Sequence, residues 1–154
     1  MAIIKSGVEF MDPVLQHLDL IDLLSERHGQ LRGIAEKLWN ETSDIAISNS
    51  EWYIMSRIYK KQTTIANVSK NVDITRQATH KFIKNLKAKG LVNVMDGENN
   101  KKEKRIELTP LGEECYEKNE ELKATIEKQI IEKVGEEQVE LLKNVLKMNW
   151  KIEQ

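Results

Sequence analysis

Residues 75–92 read TRQATHKFIKNLKAKGLV, and the fold turns on this run. Thr79, Phe82, Ile83 and Leu86 recur at steps of three, one and three residues, the spacing of one buried helical face. Thr75 is a residue type that caps a helix start, and Gly90 is one that ends a helix. The spacing predicts a helix over 76–89. Its outward face carries Arg76, Gln77, His80, Lys81 and Lys84.

Upstream, Thr63 or Thr64 can cap a short helix that turns Ile65, Val68 and Val72 inward, and Val72-Asp73-Ile74 makes the turn between the two helices. Before that, 51–61 presents Trp52, Ile54, Met55, Ile58 and Tyr59 as a helical face, after a polar break at 48–50. Downstream of Gly90 the period changes to two. Val92 and Val94 alternate, a polar loop follows at 96–100, and 104–108 alternates again, which predicts a β-hairpin. The order of helix, short helix, turn, helix and hairpin is that of a winged helix-turn-helix.

Such a helix pair places its second helix in the major groove of DNA, with the N-terminal residues at the base edges. Arg76 can give two hydrogen bonds to guanine and Gln77 two to adenine. His80 suits a base or a phosphate. Lys81, Lys84 and Lys87 suit phosphates, which position the protein without reading sequence. Thr64 and Thr75, at the two helix starts, join the expected contact set, as does Arg105 on the second strand. The hairpin tip adds Asn100, Lys101 and Lys102.

The net charge of −1 hides an asymmetry. From Lys60 to Arg105 there are twelve basic residues and four acids, a net +8, so the rest of the chain carries −9. A basic centre between acidic arms fits a module that meets phosphate with its middle. Charge alone does not separate this from a solvated lysine-rich surface.

The flanks are helical. A long helix is expected over 12–42, opened by Asp12-Pro13 and weakened at Gly29 and Gly33. Thr109-Pro110 opens another that runs to Val134, and Gly135 breaks it. A last helix over 136–150 turns Val139, Leu142, Val145, Leu146 and Trp150 inward. The fold class is therefore mainly α with a small β-hairpin wing. One compact subunit of 154 residues divides into a helical N-terminal dimerisation region (1–47), a winged lobe (48–109) and C-terminal dimerisation helices (110–154).

The run 75–92, together with IELTPLG at 106–112, resembles the recognition helix, wing and following helix of MarR-type regulators. The resemblance covers almost the whole chain. It implies a homodimer joined through its terminal helices on a pseudo-palindromic operator in double-stranded DNA, usually as a repressor. It also implies a small-molecule effector as a candidate partner, in a pocket where the dimerisation helices meet the DNA-binding lobe. Two positions depart from the family. Its wing often carries an Asp-Arg-Arg tip, where this chain has Asn100-Lys101-Lys102, and lysine lacks the planar fork of arginine. Thr79 stands where the family usually has an aliphatic residue.

Other chemistry is not written here. No phosphate-cradling glycine loop, nucleophile elbow or metalloprotease helix is present, so no enzyme is expected and no cofactor. His17, His28 and His80 share no metal-ligand spacing, so no metal site is expected. Trp39, Trp52, Tyr53 and Trp150 read as core or dimer-interface residues. The lone Cys115 lies near a helix start, which favours a thiolate, but Glu113, Glu114 and Glu117 oppose one. Its spacing with Leu111 and Leu122 reads as packing rather than redox sensing. No apolar run reaches the roughly 18 residues of a membrane span. The first ten residues lack a signal-peptide cleavage site, and a single cysteine suits a reducing cytoplasm. The rival reading is a winged module that contacts proteins and has no operator of its own.

Overall fold

A computed structural model describes residues 11–97 and 102–153. The elements run α1 (Leu20–Thr42), α2 (Asn49–Ile58), β1 (Thr63–Thr64), α3 (Ile65–Lys70), α4 (Arg76–Ala88), β2 (Val92–Asp96), β3 (Lys104–Leu108), α5 (Pro110–Val134) and α6 (Glu136–Lys147). They form two compact units. One is residues 36–121; the other combines the chain up to 35 with 122–154. Among the described residues no helix is long and apolar enough to cross a membrane.

The 36–121 unit holds the winged helix. Its core is Trp39, Trp52, Ile54, Met55, Ile58, Val68, Ile83, Leu86, Leu91 and Ile106, with Trp39 and Trp52 edge to face at 4.9 Å. Ser48 caps α2 in a reciprocal box. Its hydroxyl accepts from the Glu51 amide, while its own amide donates to the Glu51 carboxylate. The hairpin pairs Val92 with Leu108 and Val94 with Ile106, which sets its apolar side chains on one face. The hairpin is not the whole sheet. Thr63 and Thr64 pair with Ile106 and Arg105, so β3 lies between β1 and β2 in a three-stranded antiparallel sheet. A two-residue strand has no period to read.

Two glycines have structural reasons. Gly90 has φ +76° and closes α4 in a Schellman motif: its amide donates to Lys87, and the Leu91 amide donates to Leu86. Gly112 lies so close to the Leu91 backbone that an added Cβ would come 2.1 Å from that carbonyl oxygen. Thr109 draws the two segments together. Its hydroxyl donates to the Gly90 carbonyl at 2.6 Å and accepts from the Gly112 amide at 3.0 Å, while its amide donates to Leu91.

The other unit holds residues 20–35 of α1, residues 122–134 of α5, and α6. Ile126 and Val139 are its buried apolar side chains. The first helix differs from expectation. Asp12 does take the Val14 amide, but the turn it starts is not continued. The helix begins at Leu20, where Asp19 accepts from the Asp22 amide, and it continues unbroken through Gly29 and Gly33. The last helix also differs. It ends at Lys147, and the Trp150 indole folds back to donate to the Val145 carbonyl. Of its expected inward residues only Val139 is buried. Leu142, Val145, Leu146 and Trp150 are exposed in the single chain.

Candidate nucleic-acid interface

The helix pair is built by its caps. Thr64 accepts from the Asn67 amide at 3.1 Å to start α3, and Thr75 accepts from the Ala78 amide at 3.1 Å to start α4. Both expected contact threonines therefore already carry a capping duty. Each hydroxyl accepts in its cap and still has an O–H to donate. Thr79, the departure from an aliphatic residue, is fully buried and is satisfied: its hydroxyl donates to the Thr75 carbonyl at 2.9 Å.

With Thr79, Ile83 and Leu86 buried and Phe82 half-buried, the opposite face of α4 is open. Arg76, Gln77, His80, Lys81, Lys84 and Lys87 are all exposed on it. No acid lies in its first turn, so the positive end of the helix dipole is unopposed there. This is a surface for polyanion: donors at the helix start and lysines along the next turns.

The remaining expected residues are placed differently. Arg105 lies on β3 opposite Thr64, so those two are side by side across the sheet. Arg105 is half-buried and already has a partner within the fold. Lys102 is exposed and also has a partner. Asn100 and Lys101 lie outside the described residues. At the base of the wing, Lys104 forms an ion pair with Asp96.

One basic residue of the run turns inward. Lys89 Nζ donates to both carboxylate oxygens of Glu51 at 2.8 Å and to the Ala46 carbonyl at 2.7 Å. Cys115 is buried, and burial first, then Glu114, pushes its thiol above the ordinary value against an opposing pull from Lys118. Its setting is that of a packed side chain. Among the described residues no group of three or more His, Cys, Asp or Glu could hold a metal ion. The sequence reading passes over Arg57, Asn67 and Asn71. With Lys61 and Val68 they line a cleft of about 320 Å³ in this unit. The signal in the sequence is the four-residue spacing of Asn67 with Asn71, which lets the two side chains meet.

Comparison with known proteins agrees with this geometry. Residues 47–112 match the family described as winged helix DNA-binding domain. No curated protein matches the chain. Among solved structures, FabT of Streptococcus pneumoniae in complex with DNA has a TM-score of 0.71 at 20% identity, over 82% of this chain and 90% of that one. A MepR–DNA complex from S. aureus has a TM-score of 0.70 at 20% identity, over 84% and 95%. A MarR variant from E. coli complexed with operator DNA has a TM-score of 0.71 at 17% identity, over 89% and 97%. Residues 47–112 thus match the winged helix DNA-binding domain family, and the chain around them shares the fold of these solved structures.

Proposed function

We propose that the chain is a transcriptional regulator rather than an enzyme, a homodimer that represses from a pseudo-palindromic operator in the cytoplasm. The observation that carries this is the exposed face of α4. A capped helix start bearing Arg76 and Gln77, with lysines behind it, sits inside a winged helix domain. Arg76 and Gln77 read base edges. His80, Lys81, Lys84 and Lys87 hold phosphates, with Thr64, Thr75, Asn100, Lys101, Lys102 and Arg105 completing the contact set.

Dimerisation is supported by the apolar surface of the terminal helices. Leu20, Ile21, Leu141, Leu142, Leu146, Met148 and Trp150 are each more than two-fifths exposed in the single chain. Burial against a second copy on a two-fold axis would remove that surface from water. A small-molecule effector belongs to the same reading. It is supported by a cavity of about 520 Å³ in the same unit, walled by Leu31, Ile34, Ile126, Ile130, Val139 and Leu142. That size and apolar character suit a small organic ligand.

The test is selection from a random duplex pool at physiological salt, followed by sequencing of the bound fraction. The reading expects a pseudo-palindrome with half-sites about one helical turn apart. A bound fraction with no enriched motif would instead favour a winged module that contacts proteins.

A further inference from the structure

We propose that the cleft lined by α2, α3 and the Lys61 segment is an oxyanion site, for a phosphate or carboxylate group. Its chemistry differs from that of the apolar cavity among α1, α5 and α6. Arg57 and Lys61 bring two cations, Asn67 and Asn71 bring amides, and only Val68 is apolar. Among the described residues no acid lines it.

The donors are partly reserved and partly available. The Asn71 amide nitrogen donates to Asn67 (backbone carbonyl and side-chain oxygen), and the Asn67 amide nitrogen donates to the Thr63 hydroxyl at 2.8 Å. These bonds hold the amide wall in place and leave an Asn67 N–H uncommitted. Arg57 uses one N–H on the Tyr53 hydroxyl at 3.3 Å, which leaves four of its five donors. Among the described residues the Lys61 ammonium has no hydrogen bond or ion pair, whereas Lys89, Lys104 and Lys143 each have one. Two cations line this cleft, and among the described residues none that lines it is an acid. An oxyanion there accepts charge-assisted hydrogen bonds from both.

The site touches the turn of the helix pair. Tyr53 accepts from Arg57, whose guanidinium carbon lies 4.9 Å from the Tyr53 ring centroid, and Asn71 ends α3 at the start of the turn. An oxyanion that draws the Arg57 guanidinium toward the cleft competes with the Tyr53 bond. The Tyr53 ring therefore reports on occupancy. The oxyanion has two sources, a free small anion or a backbone phosphate of DNA, and the cleft offers either the same donors.

The experiment follows the amide and aromatic resonances of the isotope-labelled full chain during titration. The probes are inorganic phosphate, chloride at matched ionic strength, and a short duplex of random sequence. Phosphate is expected to give saturable shifts at the Asn67 and Asn71 side-chain amides and at the Tyr53 ring, with chloride giving none. Lys61→Gln breaks no bond of the fold and should weaken phosphate about tenfold, and Arg57→Gln/Lys61→Gln should abolish saturation. If the duplex moves the same signals and phosphate competes with it, the source is DNA; if the duplex leaves them unmoved, it is a free anion. Shifts that do not saturate, that chloride reproduces, or that persist in the double variant would overturn the site.

Discussion

Lys89 Nζ lies 2.8 Å from both carboxylate oxygens of Glu51, so the C-terminal end of the exposed helix α4 is fastened to the first turn of α2. Glu51 is almost wholly buried and also closes the cap of α2 through the Ser48 amide, so it serves two helices at once. Removing the lysine leaves a buried carboxylate with one partner fewer. Breaking a fully buried pair costs about 3–5 kcal/mol. The Lys89 side chain keeps 30% exposure, so Lys89→Met should cost about 1.5–3 kcal/mol, the value of a hydrogen bond to a charged group. Thermal or urea unfolding measures this. The salt dependence of DNA binding should not change, because this ammonium is turned inward.

Gly112 makes a second stability prediction. A Cβ there would meet the Leu91 carbonyl oxygen at 2.1 Å, and that oxygen belongs to backbone held by Thr109. Gly112→Ala should therefore destabilise by at least about 1–3 kcal/mol, the usual cost of overpacking. Gly29→Ala meets no atom within 4 Å and should stabilise α1 by up to about 1 kcal/mol. Parallel unfolding curves for the two variants check the contrast in sign.

How far the sequence reveals the fold depends on how local each signal is. The helix α4 is legible because its apolar stripe, its cap at Thr75 and its stop at Gly90 all lie within one short run. The start of α1 is misleading because Asp12-Pro13 carries a true cap signal. That turn ends before Leu20, and Asp19 supplies the cap that counts. The strand β1 is invisible because two threonines have no period, and their pairing with β3 depends on residues far along the chain. Lys89 adds to the basic total of the run yet points inward, because composition does not show direction. The cleft escapes a reading of single helices because no single helix holds it: Arg57 comes from α2, and Asn67 comes from α3.

The two roles proposed for α4, base reading and phosphate holding, should separate in binding experiments. Arg76→Ala should cost about 1–3 kcal/mol and relax preference at one base pair of each half-site. Lys84→Ala should weaken all sequences alike and lower the slope of log affinity against log salt by about 0.9 for each phosphate left unneutralised. Binding isotherms at several salt concentrations, on matched and single-mismatch duplexes, distinguish them. Equal behaviour of the two variants would mean that Arg76 reads no base.

The buried thiol predicts an alkaline weakness. Burial raises the Cys115 pKa above its ordinary value, so the folded chain keeps this proton at a pH where the unfolded chain has released it. That contribution is fully present below the unfolded value of about 8.5 and disappears as pH rises above it. Cys115→Ala should flatten the fall in stability over that range. Alkylation of native protein by iodoacetamide should be much slower than that of denatured protein.

The apolar face of α6 predicts how the chain assembles. Leu146 is half exposed in the single chain, and its neighbours Leu142 and Val145 are exposed with it. If a second copy covers this face, Leu146→Glu places a charge in the interface and costs several kcal/mol of association, because the charge is desolvated without a partner. Within one chain the substitution lies in solvent and leaves the helix intact. Sedimentation equilibrium should therefore show a shift from dimer to monomer while the helical circular dichroism signal stays unchanged. Operator affinity should fall steeply with it, since a monomer engages one half-site only and forgoes the gain of linked binding. A variant that stays dimeric would place the two-fold interface elsewhere on the terminal helices.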